Sequence, residues 1–359
     1  MGVIGAGMIA GTHIRNLQRT GRAKVDWVAA RDPDNLEAFR KEFGIPNKTH
    51  DYRDMLRDQE VEVVLVTTPP HLHREMFIAA LEAGKHVLLE KPMALGSEDV
   101  IEMLNVRASH PRQVAMECSC RHARLTPKFR KVKELIDTGV LGRIYAIHHS
   151  SVQRQHRPGI EFHPSAKWFL DKNMAGAGPL FDWGVYDLSF HLGILGDRHG
   201  LEEIFRVDLY SGLDESDPGT DVYDVEEHFM ADLMLDSGIR YFWERGGHAN
   251  VEAPNETRIY GTRGGLRLGY CSWDAPFIEF FDLDRHGKAR KQVIELDYNA
   301  HDDGYALTEH LIRVLDGEEE PVITLEQAAR HMEILFGCLL AGEPSPGKTH
   351  RTGYKNSIS

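Results

Sequence analysis

The chain has 359 residues, more than one ordinary domain holds, and 42% hydrophobic with 27% charged residues is the balance of a soluble globular protein of two domains. Its formal net charge of -13, with basic residues scattered among acidic ones, argues against a phosphate-tracking nucleic-acid surface. There is no run of about 18 apolar residues for a membrane span, and four irregularly placed cysteines, with no second pair beside Cys118-Ser-Cys120 for structural zinc, suit reduced thiols in a cytoplasmic protein.

The chain opens on a three-residue strand, 2–4, short against the usual ~5–6 residues. Either that strand begins at the terminus or the chain is short at its start. Gly5-x-Gly7-x-x-Ala10 follows the strand and precedes a helix, the setting in which this motif binds a dinucleotide. Gly5 permits the tight turn, Gly7 lets backbone approach a pyrophosphate, and Ala10 keeps helix close to sheet. The first helical residues, Met8 and Ile9, belong to an N-terminus whose N–H groups face the phosphates. A second strand (24–30) leads to Asp32, a carboxylate placed for a ribose 2′-hydroxyl and against a 2′-phosphate; this favours NAD, and Arg31 beside it keeps NADP open. Asp32 reads alternatively as the cap of a helix at Asn35.

The run 61–67 reads as a buried parallel strand and 71–83 as its helix, with Ala79, Ala80 and Ala83 on a closely packed face. Gly84 stops that helix and 86–90 is the next strand. Lys91 then stands past the carboxyl end of a parallel strand, where such sheets bind ligands, and Pro92 fixes the backbone after it. With a further strand at 113–117, the alternation predicts a doubly wound parallel sheet.

After Pro127 the pattern changes. A helix (128–138), a strand (143–152), a long loop and a helix (180–195) lead into strands at 204–210, 225–235, 239–245, 256–261, 265–270, 278–283 and 292–296, a largely antiparallel sheet. Asp236-Ser-Gly238 and Asp284-Arg-His-Gly287 are hairpin turns. Helices at 304–315 and 325–340 close the chain. The expected domains are 1–121 and 122–345, with a polar tail at 346–359.

The glycine turn, Thr67-Thr-Pro-Pro-His-Leu-His73, Ala83-Gly-Lys-His-Val-Leu-Leu-Glu-Lys-Pro92 and Gly176-Ala-Gly-Pro-Leu-Phe-Asp-Trp-Gly-Val-Tyr186 occur in this order and spacing. The sequence thereby resembles the Gfo/Idh/MocA oxidoreductases, from residue 1 to about 342. The resemblance implies an α/β protein: an N-terminal Rossmann domain, a C-terminal α/β domain with a large open, mostly antiparallel sheet, and nicotinamide between them. It also implies a homodimer or homotetramer formed through the exposed face of that sheet. By position, Lys91 resembles the family's active-site lysine, Asp182 its aspartate, and Tyr186 the position held by histidine in inositol dehydrogenases and by tyrosine in glucose-fructose oxidoreductase-like members. Thr67, Thr68, Pro69, His73 and Glu90 fall among positions on the nicotinamide side, and Arg121 resembles an arginine near the domain junction. Pro70 departs from the asparagine often found after Thr-Pro, which removes a hydrogen-bonding side chain.

Oxidising a secondary alcohol needs a hydride acceptor and a base within about 3 Å of the hydroxyl proton. Tyr186 serves if ionised, its ordinary pKa of about 10 being lowered by an ammonium such as Lys91; Lys91 can equally carry the proton itself. Asp182, four residues before Tyr186 on the expected helix, shares its face. His163, Lys167 and Trp168, on the loop before that helix, suit contacts to a hydroxylated ring, whereas His191 reads chiefly as a packed histidine. The remaining histidines lack metal-binding spacing, so no metal is expected. The reading is an NAD(P)-dependent oxidoreductase acting on a sugar, sugar derivative or cyclic polyol. The alternatives are an NAD-dependent glycoside hydrolase or lyase with transient oxidation, and a nucleotide-sensing regulator without catalysis.

Overall fold

The computed structural model describes residues 1–153, 166–213, 222–247, 249, 251, 253–297 and 302–342; His163 and the expected tail at 346–359 lie outside them. The first part of the chain runs β1 (Gly2–Ile4), α1 (Met8–Thr20), β2 (Trp27–Ala29), α2 (Pro33–Phe43), β3 (Asn47–Thr49), α3 (Tyr52–Leu56), β4 (Val63–Val66), α4 (His73–Glu82), β5 (His86–Leu89), α5 (Ser97–Ser109) and β6 (Ala115–Glu117). These six strands are all parallel, in the order β3-β2-β1-β4-β5-β6. The order reverses direction at β1 and β4, and ligands of such sheets bind outside the carboxyl ends at that point. Val3, Val28, Val64, Leu65 and Leu89 are sealed from solvent on both faces, which is why their strands read as unbroken apolar runs. The strand β3 has no sequence signal because Asn47-Lys-Thr is an edge, paired only to β2 and needing no apolar face.

The second part runs α6 (Pro127–Asp137), β7 (Ile144–Val152), α7 (Lys172–Ala175), α8 (Pro179–Asp182), α9 (Gly184–Ile194), β8 (Leu201–Tyr210), β9 (His228–Leu235), β10 (Arg240–Gly246), β11 (Ala253–Gly261), β12 (Gly264–Leu268), β13 (Phe277–Leu283), β14 (Ala289–Glu295), α10 (Asp303–Leu315) and α11 (Leu325–Gly342). Eight strands form one sheet in the order β14-β13-β12-β11-β7-β10-β9-β8, antiparallel except where β7 meets β10. One face carries buried Ile147, Leu233, Tyr241, Trp243 and Ile259, while Met230 and Phe242 stand exposed on the other.

Two features differ from the sequence reading. The chain divides into two compact units, and the segment 302–332 belongs with 1–121 rather than with 122–301. Helix α10 packs on α1, where Gly304 comes close to Asn16, and at the exposed edge of that contact Arg19 donates twice to Asp302 (3.0 and 2.7 Å) and lies over the Tyr305 ring at 4.4 Å. Nearby, Arg22 pairs with Asp316. The expected helix at 180–195 is two helices broken at Trp183. A side chain on Gly184 would put its Cβ 2.9 Å from the Trp243 ring, so the chain turns where glycine lets it approach β10. Asp182 and Tyr186 therefore do not share a helix face.

The second unit is organised around Asp187 of α9, which has no solvent exposure. Its carboxylate accepts from Arg245 Nε and Nη2, both at 2.6 Å, from Trp243 Nε1 at 2.8 Å and from the Tyr270 hydroxyl at 2.6 Å. His149 Nε2 lies 3.1 Å away without hydrogen-bond alignment. Burial pushes the Asp187 pKa up, but Arg245 and His149 outweigh it and hold the carboxyl well below the usual range. Removing one partner of such a pair strands a buried charge. Asp187→Leu is expected to cost about 3–5 kcal/mol in urea unfolding, and adding Arg245→Met should recover only part of it, since Trp243 Nε1 and the Tyr270 hydroxyl still lack their acceptor. A single-variant loss below about 1 kcal/mol would show that the pair does not hold the unit.

Candidate active site

In the first unit the turn after β1 is built by crowding on one side and openness on the other. Gly5 has φ +107°, and a Cβ there would lie 2.8 Å from Thr67 Oγ1 and 2.9 Å from its carbonyl oxygen, so only glycine fits. Thr67 Oγ1 donates to the Ile4 carbonyl at 2.8 Å and ties the ends of β1 and β4 together. A Cβ on Gly7, by contrast, would meet nothing within 4 Å. Gly7 is the N-cap of α1, no side chain caps it, and the first turn holds no acidic residue. An uncapped helix N-terminus beside open space fits a pyrophosphate. Met8 there is exposed, Ile9 half-buried, and Ala10 fully buried against the sheet.

Asp32 is the N-cap of α2, accepting from the Asn35 amide at 2.7 Å through Oδ1, and Asn35 Nδ2 donates to the Ala6 carbonyl at 3.0 Å. The cap thus ties the exposed end of β2 to the glycine turn. His73 is fully buried, with Nε2 2.8 Å from the Thr68 carbonyl and Nδ1 2.9 Å from that of Pro92. Burial pushes its pKa down, so the neutral ring donates to one carbonyl only. It acts on the stretch from Thr68 and Pro69 by bracing backbone, its ring being out of reach of solvent.

Glu90 ends the next crossover in a buried cluster. Its Oε1 accepts from Arg121 Nη1 and lies beside His13 Nε2, both at 2.8 Å, while Oε2 accepts from the Lys91 main-chain amide at 3.2 Å. Burial raises its pKa, yet Arg121 and His13 outweigh that and keep it well below the usual range. The Lys91–Pro92 peptide bond is cis. Arg121, 7% exposed, therefore serves the lysine's anchor. Glu117, also buried, is pushed up to about 7 by burial. His13, Glu90 and Cys118 bring ligand-type atoms within 4.8 Å of one another. Arg121 already serves that carboxylate and burial drives the Cys118 thiol well up, so the group fits an ion pair better than a metal.

In the second unit, Glu226 accepts from the Gly178 and Leu180 amides, both at 2.8 Å, and fixes the start of α8. A Cβ on Gly178 would fall 1.9 Å from the Glu226 carbonyl oxygen, which requires glycine at that position. Asp182 closes α8 and Tyr186 follows in the first turn of α9, 2% exposed. The Tyr186 ring packs against His122 at 4.8 Å and Trp183 at 5.4 Å, and both of those rings pack against Trp273, at 5.0 and 5.8 Å. The Arg245 guanidinium lies over Trp183 at 4.8 Å. His191 is a packed histidine, held by Tyr241 and Thr257, with its pKa pushed well down by burial.

Lys167 and Trp168 sit on a short 3-10 turn (Lys167–Leu170), Lys167 exposed and Trp168 stacked on Phe169 at 3.8 Å. Sequence reasoning missed His122, Trp183 and Trp273. The first two stand beside residues it singled out, Arg121 and Asp182. Nothing in the pattern marks Trp273, an isolated aromatic between two strands.

The open space at Gly7 yields a clean test. Gly7→Ala is expected to cost no more than about 1–2 kcal/mol of unfolding stability, alanine being a poorer N-cap than glycine, while lowering NADH affinity at least about ten-fold by fluorescence titration. Unchanged affinity would remove the pyrophosphate from this turn.

Residues 1–118 match the family described as "Oxidoreductase family, NAD-binding Rossmann fold", and 129–267 match the "GFO/IDH/MocA C-terminal domain". A levoglucosan dehydrogenase of Pseudarthrobacter phenanthrenivorans is 28% identical over 49% of this chain and 44% of its own. A 1,5-anhydro-D-fructose reductase of Ensifer adhaerens is 31% identical over 74% of each. The chain spans about half the length of the first curated relatives it matches. In fold it superposes on a levoglucosan dehydrogenase solved with NADH and levoglucosan, with TM-score 0.81, 20% identity and coverage of 95% of this chain and 96% of that one. Its two matched domains, the Rossmann strand order and the extent of the anhydrofructose reductase match make the chain a member of the Gfo/Idh/MocA oxidoreductase family.

Proposed function

We propose that the chain is an NAD-dependent dehydrogenase or reductase that moves a hydride between nicotinamide and a secondary alcohol or ketone of a sugar, sugar derivative or cyclic polyol. The observation that carries this is Glu90: a buried carboxylate, ion-paired with Arg121, that grips the Lys91 backbone at the carboxyl end of a Rossmann strand. Relatives named for levoglucosan and 1,5-anhydro-D-fructose support a sugar-like substrate.

NAD, when bound, supplies the hydride acceptor. Gly5, Gly7 and the α1 N-terminus, with Met8 and Ile9, hold its pyrophosphate; Asp32 takes a ribose hydroxyl and disfavours a 2′-phosphate. Thr67, Thr68 and Pro69 line the nicotinamide side, with His73 and Glu90 bracing them. Lys91 donates to the substrate oxygen, and either it or Tyr186 takes the hydroxyl proton. A tyrosine needs a neighbouring positive charge to do so near neutral pH. Asp182 orients the substrate hydroxyl, with Lys167 and Trp168 as further contacts.

No helix among the described residues is long and apolar enough to cross a membrane. Four buried cysteines suit a reducing cytoplasm. Exposed Met230 and Phe242 on the open sheet face suit coverage by a second copy, which sedimentation would show as at least twice the mass of one chain.

Lys91→Met tests the reaction. With NAD or NADP screened against inositols, monosaccharides and glycosides, turnover should fall at least about a hundred-fold, the scale of a lost proton-transfer group, while NADH affinity stays within about three-fold. Unchanged turnover would dismiss Lys91 from the site.

A further inference from the structure

We propose that Trp273, with His122 and Trp183 against it, is a stacking platform for the apolar face of a six-membered sugar or cyclitol ring. The inference rests on the reading above in taking Tyr186 as part of the reacting site, and names what holds the substrate there. Trp273 is 46% exposed, an unusual state for an indole on a turn that is otherwise locked. Lys128, with no solvent exposure, donates from Nζ to the carbonyls of Cys271 (2.7 Å) and Asp274 (3.1 Å), the two residues that bracket the Ser272-Trp273 step. The Asp274 carboxylate returns to the Cys271 amide at 2.9 Å and accepts from Asn255 Nδ2 at 2.7 Å. A buried ammonium and a largely buried carboxylate thus fix one short turn whose side chain is left half in water. Fixing a contact residue in advance is what lowers the ordering cost of binding.

The rings give the platform its shape. Trp273 meets His122 at 69° and Trp183 at 87°, and His122 meets Tyr186 at 61°. His122 and Trp183 lie nearly parallel to each other, at 26° with centroids 6.0 Å apart, and Trp183 also carries the Arg245 guanidinium, so the surface offered to a ligand is that of the exposed Trp273, which meets both rings steeply. Pyranoses and cyclitols with mostly equatorial hydroxyls present C–H groups on their faces, which suit an aromatic surface, and hydroxyls at their rim. Tyr186 is one intervening ring from Trp273, through His122 or Trp183, which puts the platform within the same aromatic cluster as the phenol.

The test uses the full chain with NADH bound, titrated calorimetrically with D-glucose and myo-inositol, and with glycerol as an open-chain control. Trp273→Ala should weaken binding of a ring probe at least about ten-fold and Trp273→Phe restore it to within about three-fold, as stacking on any flat ring requires. Glycerol and NADH affinities should not move. For any ring substrate turned over, KM should rise with kcat nearly constant. Ring-probe affinity within about two-fold of wild type in Trp273→Ala, equal loss in both variants, or no binding of either ring probe by wild type overturns the platform. Ring binding lost with Trp273 in a chain that turns nothing over would overturn the reaction instead and leave the platform standing.

Discussion

A carboxylate that never meets water fixes the second unit. Asp187 is donated to by strand β10 through Arg245 and Trp243 and by the segment after β12 through Tyr270, so α9 cannot slide on the sheet without losing charge-assisted bonds in a low-dielectric setting. Tyr186 is its chain neighbour and inherits that position. Arg245, holding Asp187, also lies over the Trp183 ring that ends the previous helix. One ion pair thus holds both the tyrosine's position and the aromatic ring beside it.

The first unit repeats the device with different parts. Glu90 is buried, paired with an arginine, and precedes the candidate lysine as Asp187 follows the candidate tyrosine. In both places the charged residue at work is not the reactive one but its neighbour, and the arginine keeps the carboxylate ionised where burial alone would protonate it. Replacing such pairs by apolar residues often leaves stability unchanged or better. Their use beside both candidate reactive side chains is therefore better understood as positioning than as stabilisation.

Much of this was legible in the sequence where a physical rule acts locally. The glycine turn follows from backbone conformation, the buried strands from continuous apolar runs, and the hairpins at 236–238 and 284–287 from turn chemistry. The break at Trp183 was not legible, because Gly184 is required by a tryptophan some sixty residues away, and the helical pattern carries through it. The return of 302–332 to the first unit is a packing of α10 on α1, nearly three hundred residues apart, with Arg19–Asp302 and Arg22–Asp316 at its edge, and no periodicity encodes such a long-range contact. Motif matching located Arg121 and His73 without saying which of their atoms matter: the one pairs with Glu90, and the ring of the other lies between backbone carbonyls.

Bracing of this kind explains the glycines and histidines that stand beside the candidate residues within each unit. Gly5, Gly178 and Gly184 each stand where a Cβ would strike backbone or an aromatic ring from a distant element, so close approach of chains is bought with small residues. His13 and His73 fill the remaining gaps with rings that satisfy carboxylate or carbonyl oxygens. A lysine or a tyrosine placed at the end of such a scaffold has little freedom of its own to lose when a substrate arrives. That restriction is what turns two ordinary side chains into candidates for proton transfer.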